Sequence, residues 1–196
     1  MKKIALLLIA LYPLFHLRAD LTDYLVVDMK GREGIAAQAY NYAPADARDA
    51  LGNRVDDWMF SVYYYHFNTK KSSIEFGVGL WEETSNGLSA RIRPITIGMS
   101  FYENLENNFK FFYGADLGAF RLEAQQRNAL GTINSYSDTD FGLQLKLGMA
   151  YLLHADFWAK GEIRYTGCTV ENVYPTAPSD SDISDFNFAM SFIAMF

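Results

Sequence analysis

The sequence predicts an all-β chain that closes into an antiparallel, eight-stranded, up-and-down transmembrane β-barrel. Three observations point there. From position 55 onward the chain falls into segments of roughly ten to fourteen residues with alternating polarity, long enough to cross a lipid core as tilted strands. The row opposite each apolar row mixes Lys, Arg, Asp and Glu with glycine. The stretches between segments alternate between long and short, as the two rims of a transmembrane barrel do.

Residues 1–19 read as a signal peptide ahead of a barrel domain, residues 20–196. Lys2 and Lys3 give a positive start, an apolar run extends from Ile4 to Phe15 broken only by Pro13, and Leu17-Arg18-Ala19 ends on a small residue. The run is about a dozen residues, short of the ~20 that a spanning helix needs. Cleavage after Ala19 removes Lys2, Lys3 and Arg18, taking Lys+Arg from 17 to 14 against 23 acidic residues, a formal charge of −9. That balance argues against nucleic acid, which demands a basic face, and against a polybasic hold on anionic lipid. Cys168 is the lone cysteine, so no internal disulfide can form. No later stretch holds ~18 consecutive apolar residues, yet half the chain is apolar and 16% is aromatic. Strands must carry that load.

The first strand is expected between positions 21 and 42, where 24–30 and 35–42 both qualify; an even strand number calls for one of them. Residues 57–66 set Trp58, Phe60, Val62 and Tyr64 against Asp57, Met59, Ser61, Tyr63 and Tyr65. In 73–81, Ile74, Phe76, Val78 and Leu80 oppose Ser73, Glu75, Gly77, Gly79 and Trp81. The next strand opposes Ile95, Ile97, Met99 and Phe101 to Thr96, Gly98, Ser100 and Tyr102, but Arg91 and Arg93 fall in its apolar row. Either a bulge at Pro94 turns them inward or they stand above the membrane rim. Residues 109–119 set Phe109, Phe111, Tyr113, Ala115 and Leu117 against Lys110, Phe112, Gly114, Asp116 and Gly118. In 140–151, Phe141, Leu143, Leu145, Leu147, Met149 and Tyr151 oppose Asp140, Gly142, Gln144, Lys146, Gly148 and Ala150.

The cleanest alternation is 156–168. Phe157, Ala159, Gly161, Ile163 and Tyr165 face away from Asp156, Lys160, Glu162, Arg164 and Thr166. The last segment, 185–196, sets Phe186, Phe188, Met190, Phe192, Ala194 and Phe196 against Asp185, Asn187, Ala189 and Ser191. A helix would scatter both sets around its circumference; a period of two belongs to a strand.

Counting back from Phe196, the connections 169–184, 152–155, 123–139, 103–108, 83–88 and 68–71 run long, short, long, fairly short, middling and short, with a long stretch before 55. Short turns belong to the periplasmic rim and long loops to the outside, which puts Phe196 and the first strand's start on the periplasmic side.

A soluble barrel also alternates, with its apolar rows turned inward. The glycines (Gly77, Gly79, Gly114, Gly118, Gly142, Gly148) favour the opposite orientation, because an eight-stranded barrel is only wide enough for side chains to fill. Inward charges must then pair. The expected lumen network is Glu75, Lys110, Asp116, Asp140, Lys146, Lys160, Glu162, Arg164 and Asp185. Aromatic residues at the ends of the apolar rows (Trp58, Phe101, Phe109, Tyr151, Phe157, Tyr165) suit interfacial girdles.

With these features the chain resembles the small outer-membrane barrels of the OmpA-transmembrane and opacity-protein type. The resemblance covers the whole mature chain in architecture and is specific to the class. It implies an envelope of the Gram-negative kind, a monomer among outer-membrane lipids including lipopolysaccharide, and assembly by the barrel-assembly machinery. In such families that machinery reads a terminal aromatic residue with apolar residues at alternate positions before it. Phe188, Met190, Phe192, Ala194 and Phe196 match that pattern.

Catalysis would require a nucleophile with a base nearby. His16 leaves with the signal, and His66 and His154 sit beside short turns, at the rim away from lipopolysaccharide. Glu162 with Asp140, or Glu75 with Asp116, could be paired carboxylates, but salt bridges are the expectation in a lumen that also holds Lys and Arg. Residues 179–185 are rich in Ser and Asp and read as a solvated loop rather than a Ca²⁺ site. Arg91 and Arg93 have two readings, contact with lipopolysaccharide phosphate or an inward structural role. No zinc spacing, phosphate loop or internal repeat occurs, and no catalytic residue, metal or cofactor is expected. The expected role is a structural anchor whose long connections, 123–139 and 169–184, bind an external partner; an outer-leaflet lipid-modifying enzyme and a narrow channel are the alternatives.

Overall fold

A computed structural model describes residues 29–42, 57–85, 87–106, 108–127, 132–171 and 180–196. The strands are β1 (Glu33–Tyr42), β2 (Asp57–Thr69), β3 (Ser72–Ser85), β4 (Leu88–Glu106), β5 (Phe109–Arg127), β6 (Ile133–His154), β7 (Phe157–Gly167), β8 (Thr169–Glu171), β9 (Asp180–Asp182) and β10 (Asp185–Met195). Strands β1 to β7 and β10 pair antiparallel with their neighbours and close into an eight-stranded barrel, while β8 and β9 form a separate two-stranded sheet. Closure runs from Gly34↔Met195 to Tyr40↔Ala189. The amide of Phe196 donates to the Glu33 carbonyl, and that of Glu33 donates back to Phe196.

The register fixes the width. Followed once around from Gly34, through Tyr65, Glu75, Gly98, Asp116, Gln144, Thr166 and Asp185, and extended by the β1–β10 register, it comes back level with a point about ten residues beyond its start, past the end of β1. A stagger of that size over eight strands tilts them by roughly 40° and leaves a bore that side chains just fill.

Of the two candidates for the first strand, 35–42 is the one that pairs. The alternative, 24–30, falls mostly outside the described residues, as does the signal peptide at 1–19; Lys30 and Gly31 form a turn ahead of β1, with Gly31 at φ 79°. The β2–β3, β4–β5 and β6–β7 connections lie at the rim shared with Glu33 and Phe196, and the ladder runs further into 103–108 and 152–155 than the alternation indicated, β4 reaching Glu106 and β6 reaching His154.

Three expectations about β4 and its neighbours are corrected. Pro94 carries no bulge, because Arg93↔Arg121, Pro94↔Phe120 and Ile95↔Ala119 succeed one another without a slip. The stretch 83–88 is no loop, since β3 runs to Ser85 and β4 starts at Leu88 across a tight turn with Gly87 at φ 79°. Most of 123–139 is ladder too, with β5 reaching Arg127 and β6 starting at Ile133.

The cause is a change of surroundings rather than of backbone. Up to Ile95 and Ala119 the outward row is apolar, as in Ile95, Ile97, Met99, Phe101, Tyr113 and Leu117. Beyond them Leu88, Ala90, Ile92, Leu122 and Ala124 face inward and are buried, while Arg91, Arg93, Arg121 and Gln125 face out. A sheet that leaves lipid for water must invert its apolar face. The result is a wall. β4, β5 and β6 span 19, 19 and 22 residues, against 10 for β1 and 11 each for β7 and β10.

Glycines clear the bore where large inward groups cross. A Cβ on Gly98 would lie 1.9 Å from Asp116 Oδ1 and 2.3 Å from the Ala115 carbonyl oxygen, and a backbone atom cannot move aside. Gly98→Ala is expected to destabilise the barrel by about 1–3 kcal/mol, the usual cost of overpacking. Gly161→Ala is expected to be neutral, since the nearest atom there is 3.7 Å away. Urea titrations followed by heat-modifiable electrophoretic mobility check both.

Candidate functional site

Among the described residues the lumen holds six fully enclosed charges, Glu75, Asp116, Lys146, Lys160, Glu162 and Arg164, each 1–3% exposed. Three are acids and three are bases, so the set is electroneutral. Lys146 Nζ lies 2.6 Å from both Glu75 Oε2 and Asp116 Oδ1, bridging carboxylates that would otherwise repel. Arg164 donates to Glu162 Oε1, which also accepts from Gln38 Nε2 at 2.9 Å. Lys160 Nζ is 3.8 Å from Glu162, 4.1 Å from the centre of the Phe112 ring and 4.9 Å from that of Tyr65. The Arg164 guanidinium stands between Tyr40 and Tyr63, 5.3 and 5.2 Å from their ring centres, and donates to Tyr63 Oη at 2.5 Å. Cations desolvated against aromatic faces gain up to about 2 kcal/mol each.

Three residues expected in this network lie elsewhere. Lys110 is at the short-turn rim, 3.0 Å from Asn104 Oδ1 and 5.4 Å from the Trp158 ring centre. Asp140 is half-buried higher on β6, where its Oδ1 accepts from the Phe141 amide. Asp185 sits half-buried at the far end of β10, level in register with Thr166. All three face inward by alternation, but they belong to the rims, where solvent can satisfy a charge.

Sequence reading missed the two apolar plugs that flank the charges. At the short-turn rim Met29, Tyr65, Phe67, Tyr102, Phe112, Leu152, Trp158 and Met195 pack together. At the other rim Tyr42, Trp81, Ile92, Phe120 and Leu122 pack with Cys168, Val170 and Ile183. The last three belong to or flank the β8–β9 hairpin, so part of the long connection 169–184 folds into the mouth. Tyr42 Oη ties it there, donating to the Ile183 carbonyl at 2.6 Å. The available signal was in the polar rows themselves, which carry Met59, Tyr63, Tyr65, Trp81, Tyr102 and Phe112.

Outside, every barrel strand presents large apolar side chains to the surroundings, up to Phe141 at 84% exposure. Phe101–Tyr113 and Phe109–Tyr151 pair near one edge of this belt, with ring centres 5.7 and 4.6 Å apart, and Tyr165–Phe186 at 4.7 Å near the other. Phe188, Met190, Ala194 and Phe196 are exposed on the outer face of β10, with Phe192 partly so. Arg91 and Arg93 stand outside, beyond the belt. Arg91 Nη2 is 2.9 Å from Glu82, and Glu123 lies 3.2 Å from Arg93 and 2.9 Å from Arg121. His66 and His154 are at the short-turn rim, His66 3.7 Å from Glu33 and His154 beside Phe157. Among the described residues no group of three or more His, Cys, Asp or Glu gathers as metal ligands would.

A closed antiparallel eight-stranded barrel, charged and plugged inside and apolar outside, is the fold of the small outer-membrane β-barrels, and the belt is a lipid-facing surface. Among solved structures the chain is similar to Neisserial surface protein A (11% identity, TM-score 0.61, covering 85% of this chain and 98% of that one). It is also similar to the N-terminal β-barrel domain of Pseudomonas aeruginosa OprF (9%, 0.56, 85% and 98%) and to Ail, the attachment invasion locus protein of Yersinia pestis (12%, 0.56, 86% and 100%). No family model and no curated protein matches the sequence. At such identities the likeness is one of fold.

Removing one member of the neutral set strands its partners. Lys146→Met, which leaves Glu75 and Asp116 facing each other, is expected to cost about 3–5 kcal/mol. Neutralising all three at once, as Glu75→Gln, Asp116→Asn and Lys146→Met, is expected to recover most of that loss. Urea unfolding in lipid vesicles measures both.

Proposed function

We propose that this protein is an integral outer-membrane barrel that neither conducts solutes nor catalyses a reaction, and that anchors an interaction surface outside the cell. The observation that carries the reading is the lumen: a neutral charge cluster between two apolar plugs, inside a wall that faces lipid. Bulk solutes have no path through a bore filled by Phe112, Tyr65, Arg164 and Trp81. The fold likeness supports the outer membrane as the location, since the similar structures include the outer membrane protein OprG from Pseudomonas aeruginosa. Export through a cleaved signal at 1–19 and folding by the barrel-assembly machinery complete the proposal.

The interaction surface is the tall side of the barrel, β3 to β6, together with the 169–184 connection. Rigid strands hold it clear of the membrane, and binding residues are commonly carried on such supports. This refines the expectation of two free loops.

In planar lipid bilayers the protein is expected to give no channel steps. Replacing 169–184 by a short Gly-Ser linker is expected to leave it silent, because the charged waist still closes the bore; sustained conductance in either form overturns the non-conducting reading. Mass spectrometry of membrane lipids from cells with and without the protein is expected to give identical spectra, and a new lipid species would establish an enzyme. Cells bearing the linker form, also shortened at 128–131, are expected to lose adhesion and serum survival, and unchanged behaviour removes the interaction role.

A further inference from the structure

We propose that the outward face of β3–β5 just beyond the lipid belt binds the phosphorylated headgroup of a glycolipid in the adjoining leaflet, with Arg93 and Arg121 taking its phosphate. The proposal rests on the outer-membrane reading and adds a ligand to it.

The charge arrangement is the first argument. Arg93 and Arg121 are direct register partners across β4 and β5, and like charges in that position are destabilising. Glu123 serves three guanidiniums, with Arg121 at 2.9 Å, Arg93 at 3.2 Å and Arg91 at 3.9 Å, while Glu82 takes Arg91 alone at 2.9 Å. Three cations therefore share two anions. Stitching the strands together needs one arginine per carboxylate; it does not account for a third guanidinium placed opposite a second. The side chains of Arg93 and Arg121 are 45% and 54% exposed, which leaves donors turned outward. A phosphate accepts from two planar guanidiniums at once and removes their mutual repulsion.

The second argument is position. The next outward residue below Arg93 is Ile95, the next below Arg121 is Ala119, and Phe141 opposes Ala119 across β5 and β6. Ile95 and Phe141, 53% and 84% exposed, are where acyl chains would end. Above the arginines lies an open groove of about 300 Å³ lined by Thr84, Gly87, Ser89, Gln125, Arg127 and Ile133. Hydroxyls, an amide and a further guanidinium suit sugar hydroxyls. Along one strip the outer face thus meets acyl chain, phosphate and sugar in the order a phosphoglycolipid presents them. The chain's formal charge of −6 makes the attraction local rather than a property of the whole surface.

The test uses the full chain in phosphatidylcholine nanodiscs doped with bisphosphorylated lipid A or with the same lipid after removal of its phosphates. Native mass spectrometry reads which lipid stays bound. The wild type is expected to retain the phosphorylated form at least tenfold more strongly. The double variant Arg93→Gln, Arg121→Gln is expected to lose that preference, while Arg93→Lys, Arg121→Lys keeps part of it and Lys71→Gln, at the opposite rim, keeps all of it. Equal retention of the two lipids by the wild type, or an unaltered preference in the glutamine variant, overturns the proposal. So does displacement by an equal concentration of inorganic phosphate, which would mark a soluble-anion site. Should the glutamine variant fail to fold, the lysine variant and the phosphate comparison in the wild type still decide. Failure of the wild type to insert into any nanodisc would instead count against the outer-membrane reading.

Discussion

A strand that crosses lipid finds no water for its amides, so the sheet must close on itself, and in this chain closure rests on the short seam between β1 and β10. The seam determines much of what lies inside it. Eight strands at a stagger of about ten give a bore that a few side chains fill, which is why Gly98 cannot carry a Cβ beside Asp116. A bore that narrow also brings any inward charge within a few ångströms of the charges opposite. Glu75, on β3, can reach Lys146, on β6, because the barrel is only as wide as their two side chains are long.

Electroneutrality of the six enclosed charges follows from the same geometry. Moving an ion out of water costs several kcal/mol unless a partner and hydrogen bonds compensate, and here the low-dielectric surroundings include both apolar plugs and the lipid beyond the wall. A fourth acid in the cluster would have no cation. Asp140, Lys110 and Asp185 accordingly lie toward the rims. The polar lumen is thus a waist, and its neutrality is a condition for the barrel to exist as a closed body.

The parts of the sequence that read clearly were those whose surroundings stay constant along the strand. β7 shows its alternation over 157–167 because one face meets lipid and the other the lumen for its whole length. Clarity fails in β4 and β5, where one strand serves two solvents. Ile95 and Leu117 point apolar side chains outward; a few residues further toward the tall rim Ile92 and Leu122 point theirs inward. Read as one periodic segment, the phase jump resembles a bulge at Pro94 or the onset of a loop at Glu123. The register contains neither. The network was legible to the extent that charge and parity fix a face, and its membership was not, because parity says nothing about height along the axis. The aromatic plugs were obscured for a related reason: Tyr, Trp and Phe are at home on either side of a thin wall.

That phase jump also separates two tasks within one sheet. Below it, the outer face must be apolar and the inner face can be charged, which makes an anchor. Above it, the inner face packs Ile92, Phe120 and Leu122 against Val170 and Ile183, and the outer face is free to carry arginines, carboxylates and amides. Because the ladder is continuous through Pro94, the upper sheet inherits its orientation from the membrane-crossing part without a hinge. Polar groups on β3 to β6 are therefore held at a fixed height and bearing relative to the bilayer, the placement required by any ligand that is itself embedded in that bilayer.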